Sequence, residues 1–428
     1  MKRVLFISPH FPPVNAPDMH RLRQILPYMR ENGWEPVVFA IDPDKVEGSR
    51  EELLVRTVPD DVEVFHAGAF STRLTRLAGL GNLGIRSWFQ LRNAVSAYLE
   101  SNHVDLIFFS TTVFTAIAHG PYWKRRFNVP FVVDLQDPWR NDYYLTLPKH
   151  ERPGKFWFDY WQKSRLEART MPFASGVMAV SQQYIDTMHA SYPDLENRPA
   201  LTLPFGIQSK DIEIARELPA VVPRRAGKTT MRYIGRGGPD MAHALTILFR
   251  AVNSGLCRRP ELFDKLAFEF IGTSYAANGK GHKSVLPVAE DEGVANLVIE
   301  IPDRLPYFSA MRHLLDADAL VVVGSNDASY TASKVYPYVL ANRPLLALFH
   351  QDSSAATFLQ DTKAASVVTF EGTSIPTEIV EITSQHLEKL LSSLLAPNIN
   401  KSAFIPFTAE AMTVQIVKFM NDTLAAEI

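Results

Sequence analysis

A chain of 428 residues is long for one domain and comfortable for two. Its 46% hydrophobic and 21% charged residues are those of a globular enzyme, and a formal net charge of −2 leaves no basic surplus to suggest a nucleic-acid partner. Cys257 is the only cysteine, which excludes a disulfide framework and a cysteine metal site.

The opening MKRVLFISPHFPP has a basic end, but its apolar run is too short for a signal sequence. No stretch reaches membrane-spanning length, so a cytoplasmic location is expected. Residues 3–8 (RVLFIS) read as a buried strand and 9–18 as a proline-stiffened loop containing His10 and Asn15. Residues 19–32 read as a helix with Leu22, Ile25, Leu26 and Met29 on one face, ended by Gly33, and 35–41 (EPVVFAI) as the next strand. His10 and His20 are, on pattern alone, a polar loop residue and an exposed helix residue.

A strand at 62–66 precedes the mostly helical stretch 71–100, where Arg73, Arg76, Arg86 and Arg92 interleave with leucines and aromatics and no acid occurs before Glu100. Two readings are open there: a basic, apolar surface for an anionic membrane face, or amphipathic helices with leucines and aromatics turned to the core. Strands at 104–110 and 129–134 flank a helix at 114–127, and LQDPWRNDYY follows at 135–144. A helix ends at 165–171, 176–180 is a strand, and 201–206 (LTLPFG) closes a first domain.

Residues 207–230 are charged and proline-containing and read as a linker. Gly227-Lys228-Thr229 within it is no phosphate loop, because Val222 stands where the earlier glycine is required and no strand leads in. Strands at 231–235, 265–271, 297–301, 320–323, 345–349 and 365–370 then alternate with helices, the pattern of a second α/β domain with a parallel sheet. Gly324–Asp327 ends one of these strands, and Ser333 is a candidate cap for the helix that follows. Such a strand–loop–helix places its loop at the carboxyl end of the sheet, where open α/β sheets bind phosphorylated ligands; an ordinary βαβ unit reads the same way. Helices at 378–395 and 407–428 finish the chain. No acid pair or histidine cluster stands at ligand spacing, so neither metal nor cofactor is expected.

SKVYPYVLANRPLLAL (333–348) resembles the segment written SKLFEYLAAGKPILA in family-4 glycosyltransferases of the GT-B fold. LQDPW resembles the DLRDPW of one branch of that family, GVMAVS its ADAVIAVS and LTLPFG its IPNG. The resemblance implies an α/β chain of two Rossmann-like domains facing a cleft. Residues 1–206 would lie on the acceptor side, 207–230 would be the linker, 231–404 would bind nucleotide-sugar, and 405–428 would cross back to domain one.

The implied activity is retaining, metal-independent transfer of a sugar from a UDP- or GDP-sugar to a hydroxyl on a growing polysaccharide or glycolipid. A glycan or lipid-linked acceptor is implied, with peripheral membrane contact. The implied donor residues are Gly235, Arg236 and Gly237, then Gly272, Thr273 and Ser274, with Ser325, Ser333 and Lys334. Pro302 to Leu305 would lie near the base. Arg236 would pair with the diphosphate. A family Lys is replaced around Met241 to His243, and Lys280 and Lys283 could substitute for it.

His10, Asn15 and Trp139 fall on the acceptor side, with Asn15-Ala16-Pro17 where relatives carry Gly-Gly. Asp137 would draw the proton from the acceptor hydroxyl, or else cap the turn before Pro138; Trp139 would stack on a sugar ring, or else be buried. The family's glutamate pair is not retained, Ser329 and Pro337 standing in its places. A catalytically degenerate binding or scaffold subunit of the same fold is therefore the alternative. Because proline lacks an N–H, the helix is expected to begin close to Pro337, leaving Ser333-Lys334 as loop.

Overall fold

The computed structural model describes the whole chain except residues 78–80, 141, 143–144, 146–147, 153, 155, 277–278, 328–333, 373 and 428. Two compact units form: Met1–Gly206 with Ala409–Ile428, and Ile207–Thr408.

In unit 1, β1 (Lys2–Ile7), β3 (Trp34–Ile41), β5 (Glu63–Ala67), β6 (Leu106–Ser110), β7 (Phe131–Leu135), β8 (Gly176–Ala179) and β9 (Ala200–Thr202) make one sheet. Its order is β5-β3-β1-β6-β7-β8-β9, and every pairing is parallel. Alternation along β1 separates two cores: Leu5 and Ile7 join one hydrophobic cluster, Val4 and Phe6 the other. The second cluster includes Met412, Ile416, Phe419 and Met420, which is why the last helix, Ala409–Ala426, belongs to this unit. A Cβ on Gly176 would lie 3.0 Å from the Phe419 ring, so only a glycine lets that helix approach β8 so closely.

Unit 2 contains β10 (Thr229–Ile234), β11 (Leu266–Ile271), β12 (Val298–Ile301), β13 (Ala319–Val323), β14 (Leu345–His350) and β15 (Ser366–Phe370). They form a six-stranded sheet in the order β12-β11-β10-β13-β14-β15, again all parallel. Order reverses on either side of β10, so the loops after β10 and β13 diverge at the switch point where α/β sheets seat ligands.

Several expectations are corrected. The loop at 9–18 contains β2 (Val14–Asn15), paired antiparallel with β4 (Ser49–Arg50). The helix expected over 19–32 ends at Ile25, because Pro27 turns the chain into a 3₁₀ segment, Leu26–Tyr28. The helix expected over 114–127 is split into Phe114–Ile117 and Gly120–Phe127, Pro121 standing in the first turn of the second piece. Residues 207–230 are no linker: the Ser209–Glu217 helix buries Ile212, Ile214 and Ala215 in unit 2, and Thr229-Thr230 already belong to β10.

The basic surface expected over 71–100 is also reduced. Arg86 is buried and donates to the carbonyls of Phe70 and Lys45, while Arg92 lies over the Tyr122 ring at 3.7 Å. The side chains of Leu74, Arg76 and Leu77, with residue 80, lie outside the described residues. No helix among the described residues is long and apolar enough to cross a membrane.

Candidate functional site

In unit 2 the loop after β10 is built by its neighbours. Tyr338, from the Val335–Ala341 helix, accepts from Ile234 N at 2.6 Å and donates to Ile234 O at 3.0 Å, holding the strand's end. Tyr233 donates to Arg236 O at 2.6 Å, and Lys334 Nζ donates to the Tyr233 hydroxyl while lying 4.5 Å from its ring centre. Gly235 turns at φ +154°, where a Cβ would sit 3.1 Å from the Lys334 side chain; glycine alone fits both demands.

Arg236 and Lys334 are thereby brought into one cluster. The Arg236 guanidinium is held in a two-point pair with Asp240, at 2.9 and 2.6 Å, and remains 27% exposed. Burial would raise the Asp240 pKa, but Arg236 and the Ser325 hydroxyl outweigh it and hold the carboxyl below its usual range. Burial pushes the Lys334 ammonium down to about 7, with the Arg236 charge acting in the same direction. An anion that met both cations would find them poised: one permanently charged, the other easily protonated.

Other expected donor residues divide. Gly237 packs so tightly that a Cβ would fall 2.4 Å from Ser284 Oγ, and a Cβ on Gly281 would fall 2.9 Å from Ser274. The 279–284 segment therefore lies against both loops, and it presents Lys280 and Lys283 exposed. Gly272 turns at φ +75° beside Arg304, whose guanidinium lies 4.3 Å from the exposed Tyr275 ring.

Thr273 is corrected: it is buried and donates to Glu300 at 2.6 Å. Glu300 also accepts the backbone N–H groups of Ser284, Val285 and Leu286, so its carboxylate already fills the anion position at the start of the Leu286–Asp291 helix. Ser325 is corrected likewise: it is buried, accepts from Asp327 N at 3.0 Å, and supports Asp240. Ser274 Oγ accepts from Ala276 N. Ser333 lies outside the described residues, as does Ser329. The helix does begin next to Pro337, at Val335, with Lys334 in the preceding turn.

In unit 1, His10 lines a pocket of about 290 Å³ together with Glu47, Asn82, Arg86 and Thr112. Its Nδ1 lies 2.9 and 3.0 Å from the two oxygens of Asp18, which also accepts from Thr111 Oγ1, Thr112 N and Thr112 Oγ1. Burial would raise the Asp18 pKa, but these contacts, His10 foremost, leave it lowered. With Nδ1 held against Asp18, Nε2 is the ring nitrogen left to meet a ligand.

Asn15 is committed elsewhere, donating to Glu51 at 2.6 Å and contacting His20 at 3.2 Å; His20 is half-buried, not an exposed helix residue. Trp139 is 1% exposed and stacked on Phe114, so the sugar-platform expectation is corrected to a core residue. Asp137 is exposed just beyond β7, and its carboxylate makes no hydrogen bond to a described residue, which removes the turn-capping reading. Desolvation by its surroundings, and secondarily the Asp18 charge, raises its pKa.

The residues that sequence reasoning missed are Asp18, Tyr233, Asp240 and Glu300. Asp240 follows Arg236 by four, but in a loop, where that spacing signals nothing. Among the described residues no group of three or more histidines, cysteines or acids could hold a metal.

Residues 20–206 match the family described as a glycosyl transferase 4-like domain. No curated protein matches the chain. Among solved structures, it resembles HepE of Anabaena in complex with UDP, at 17% identity and TM-score 0.51, covering 99% of this chain and 98% of that one. It also resembles sucrose-phosphate synthase from Thermosynechococcus elongatus, at 13% identity and TM-score 0.58, with 100% of both chains covered. A third is a UDP-forming trehalose-phosphate synthase from Burkholderia xenovorans, at 13% identity and TM-score 0.57, with 100% of both covered. The fold is GT-B, and the match to a glycosyl transferase 4-like domain spans most of unit 1.

Proposed function

We propose that this protein transfers a glycosyl group from a nucleotide-sugar to a hydroxyl acceptor. The observation that carries the reading is the Arg236–Lys334 cluster at the switch point of the unit 2 sheet, whose two cationic groups are close enough to influence one another and suit a diphosphate by charge. HepE has been solved with UDP and with UDP-glucose, so a UDP-sugar is the first donor to test.

As the bond from the anomeric carbon to the diphosphate breaks, Arg236 and protonated Lys334 neutralise the charge that develops on the leaving oxygen. The acceptor hydroxyl forms the new bond and gives up its proton, with Asp137 as the leading base and His10, oriented by Asp18, as the second. Retention of configuration, independence of metal, and an acceptor on a polysaccharide or glycolipid belong to the same proposal, as does a cytoplasmic location.

Pro337 is half-buried in the first turn of its helix and offers no side-chain acceptor, so ribose must be held by other groups. Calorimetry against UDP-, GDP- and ADP-sugars tests binding, and release of free nucleotide with an acceptor tests transfer. Binding without turnover supports the degenerate-subunit alternative; no binding of any donor overturns the reading.

Two predictions arise at this site. Replacing Arg236 by alanine is expected to weaken donor binding by about 1.5–3 kcal/mol, the range for a hydrogen bond to a charged group. Its effect on the melting temperature should be small, since the side chain is partly exposed and its partner Asp240 can be hydrated. Unchanged donor affinity would remove Arg236 from the site.

The second concerns pH. Lys334 sits near 7 in the free protein, and a bound diphosphate favours its protonated form. The complex therefore holds more protons than the free protein above that pH. Donor affinity should be level below about pH 7 and fall above it by up to about tenfold per unit. The Lys334→Met variant should lose this slope, and a wild-type affinity level to pH 9 would exclude Lys334 from the phosphate site.

A further inference from the structure

We propose that the Phe156–Thr170 helix of unit 1 is the surface by which this protein docks on an anionic phospholipid bilayer. Its outer side carries Trp157, Phe158 and Trp161 at 57%, 62% and 54% exposure. At about 100° per residue these three fall within an arc of roughly 100°, and Arg165, Ala168 and Arg169 continue the same stripe toward the carboxyl end. All three of the latter are exposed. The opposite side is an ordinary core face: Phe156, Glu167 and Thr170 are buried.

Three large aromatics turned to water on one helix are an unpartnered surface, unlike singly scattered exposed residues. The Phe158 and Trp161 rings stack at 6.3 Å, and Phe173, 47% exposed, extends the apolar surface just past the helix. The charges choose the occupant. The Arg165 guanidinium lies 5.1 Å from the Trp161 ring centre, and Arg152 lies 5.2 Å from that of Trp157.

Neither Arg165 nor Arg169 is paired with a described carboxylate. The acids of the helix are off the stripe: Asp159 is paired with Lys163 at 2.9 Å, and Glu167 points inward and accepts from Tyr192. An aromatic stripe continued by Arg165 and Arg169, with no acid on it among the described residues, complements a negatively charged surface. Tryptophan and phenylalanine enter the boundary between headgroups and acyl chains, and the arginines remain with the phosphates. This surface is distinct from the 71–100 stretch, where Arg86 is buried, and it does not depend on the donor site.

The test is flotation of the full chain with phosphatidylcholine vesicles that contain or lack phosphatidylglycerol, with no nucleotide present. Binding is expected only with phosphatidylglycerol, accompanied by a blue shift of tryptophan emission. The Trp157→Ala, Phe158→Ala, Trp161→Ala triple variant should keep its melting temperature and lose at least about tenfold in vesicle partition, since each aromatic contributes buried apolar area. The Arg165→Glu, Arg169→Glu variant should lose at least about tenfold as well, about fivefold per arginine near the surface. It decides the matter if the triple variant misfolds. Failure to float with anionic vesicles, equal binding to neutral ones, or undiminished binding by a folded variant overturns the proposal. So does self-association that the triple variant abolishes without any vesicle binding, which would make the stripe a contact between copies of this chain.

Discussion

Replacing Asp137 by asparagine is expected to lower the transfer rate by about two to four orders of magnitude, the usual contribution of a positioned general base. Donor affinity should hardly change, because the residue acts on the acceptor hydroxyl. The expectation rests on a carboxylate that is exposed at the carboxyl end of β7 and bound to no described residue. Its raised pKa, caused by desolvation and then by Asp18, makes it a stronger base than an ordinary surface aspartate. Asparagine keeps the shape and removes the basicity, so stability should be retained. A variant with wild-type turnover would transfer the role to His10, and one with normal chemistry but a clear loss of melting temperature would restore a structural role for the side chain.

Replacing Glu269 by alanine is expected to destabilise unit 2 by about 3–5 kcal/mol, the cost of leaving a buried charge without its partner. Arg232 and Glu269 are register neighbours on β10 and β11, both buried, with Nε to Oε2 at 2.7 Å. Arg232 Nη1 donates to His313 O, but Nη2 already has no partner among the described residues, so removing the carboxylate strands the cation. Glu269 Oε1 also accepts from Arg224 N, and that donor would be released too. The joint replacement Arg232→Met, Glu269→Leu should recover most of the loss, because packed apolar side chains serve as well as a buried pair. Thermal unfolding of the three proteins checks this. A single variant within about 1 kcal/mol of wild type would mean that water reaches the guanidinium.

These two residues also mark how far sequence reading carries. Asp137 was legible as a site candidate because LQDPW is a local pattern; whether it capped a turn or stood free depended on which atoms came near it. Glu269 and Arg232 read only as polar interruptions in two strand patterns, and their pairing depends on the register of β10 against β11. His10 and Asp18, eight residues apart across a loop, give no spacing signal for the contact that orients the imidazole. Trp139 illustrates the reverse failure: an aromatic beside a site motif is also what a core needs, and stacking on Phe114 decided it.

The sequence by itself determined the two parallel α/β units, because β-branched runs and helical spacing are local properties set by the backbone's two periods. It also determined the Gly235–Gly237 loop and the helix start beside Pro337, since glycine and proline act on their own backbone. Only the tertiary structure decided which of the candidate side chains are committed to partners within the protein. Thr273 and Ser325 lie in loops that matched the expected pattern, yet their hydroxyls turn to Glu300 and toward Asp240 and Asp327. Tyr233 lies inside a strand and yet, joined to Lys334, braces the loop that carries Arg236. A polar side chain takes whichever partner folding brings within about 3 Å, and partners far apart in the chain leave no local trace of that choice.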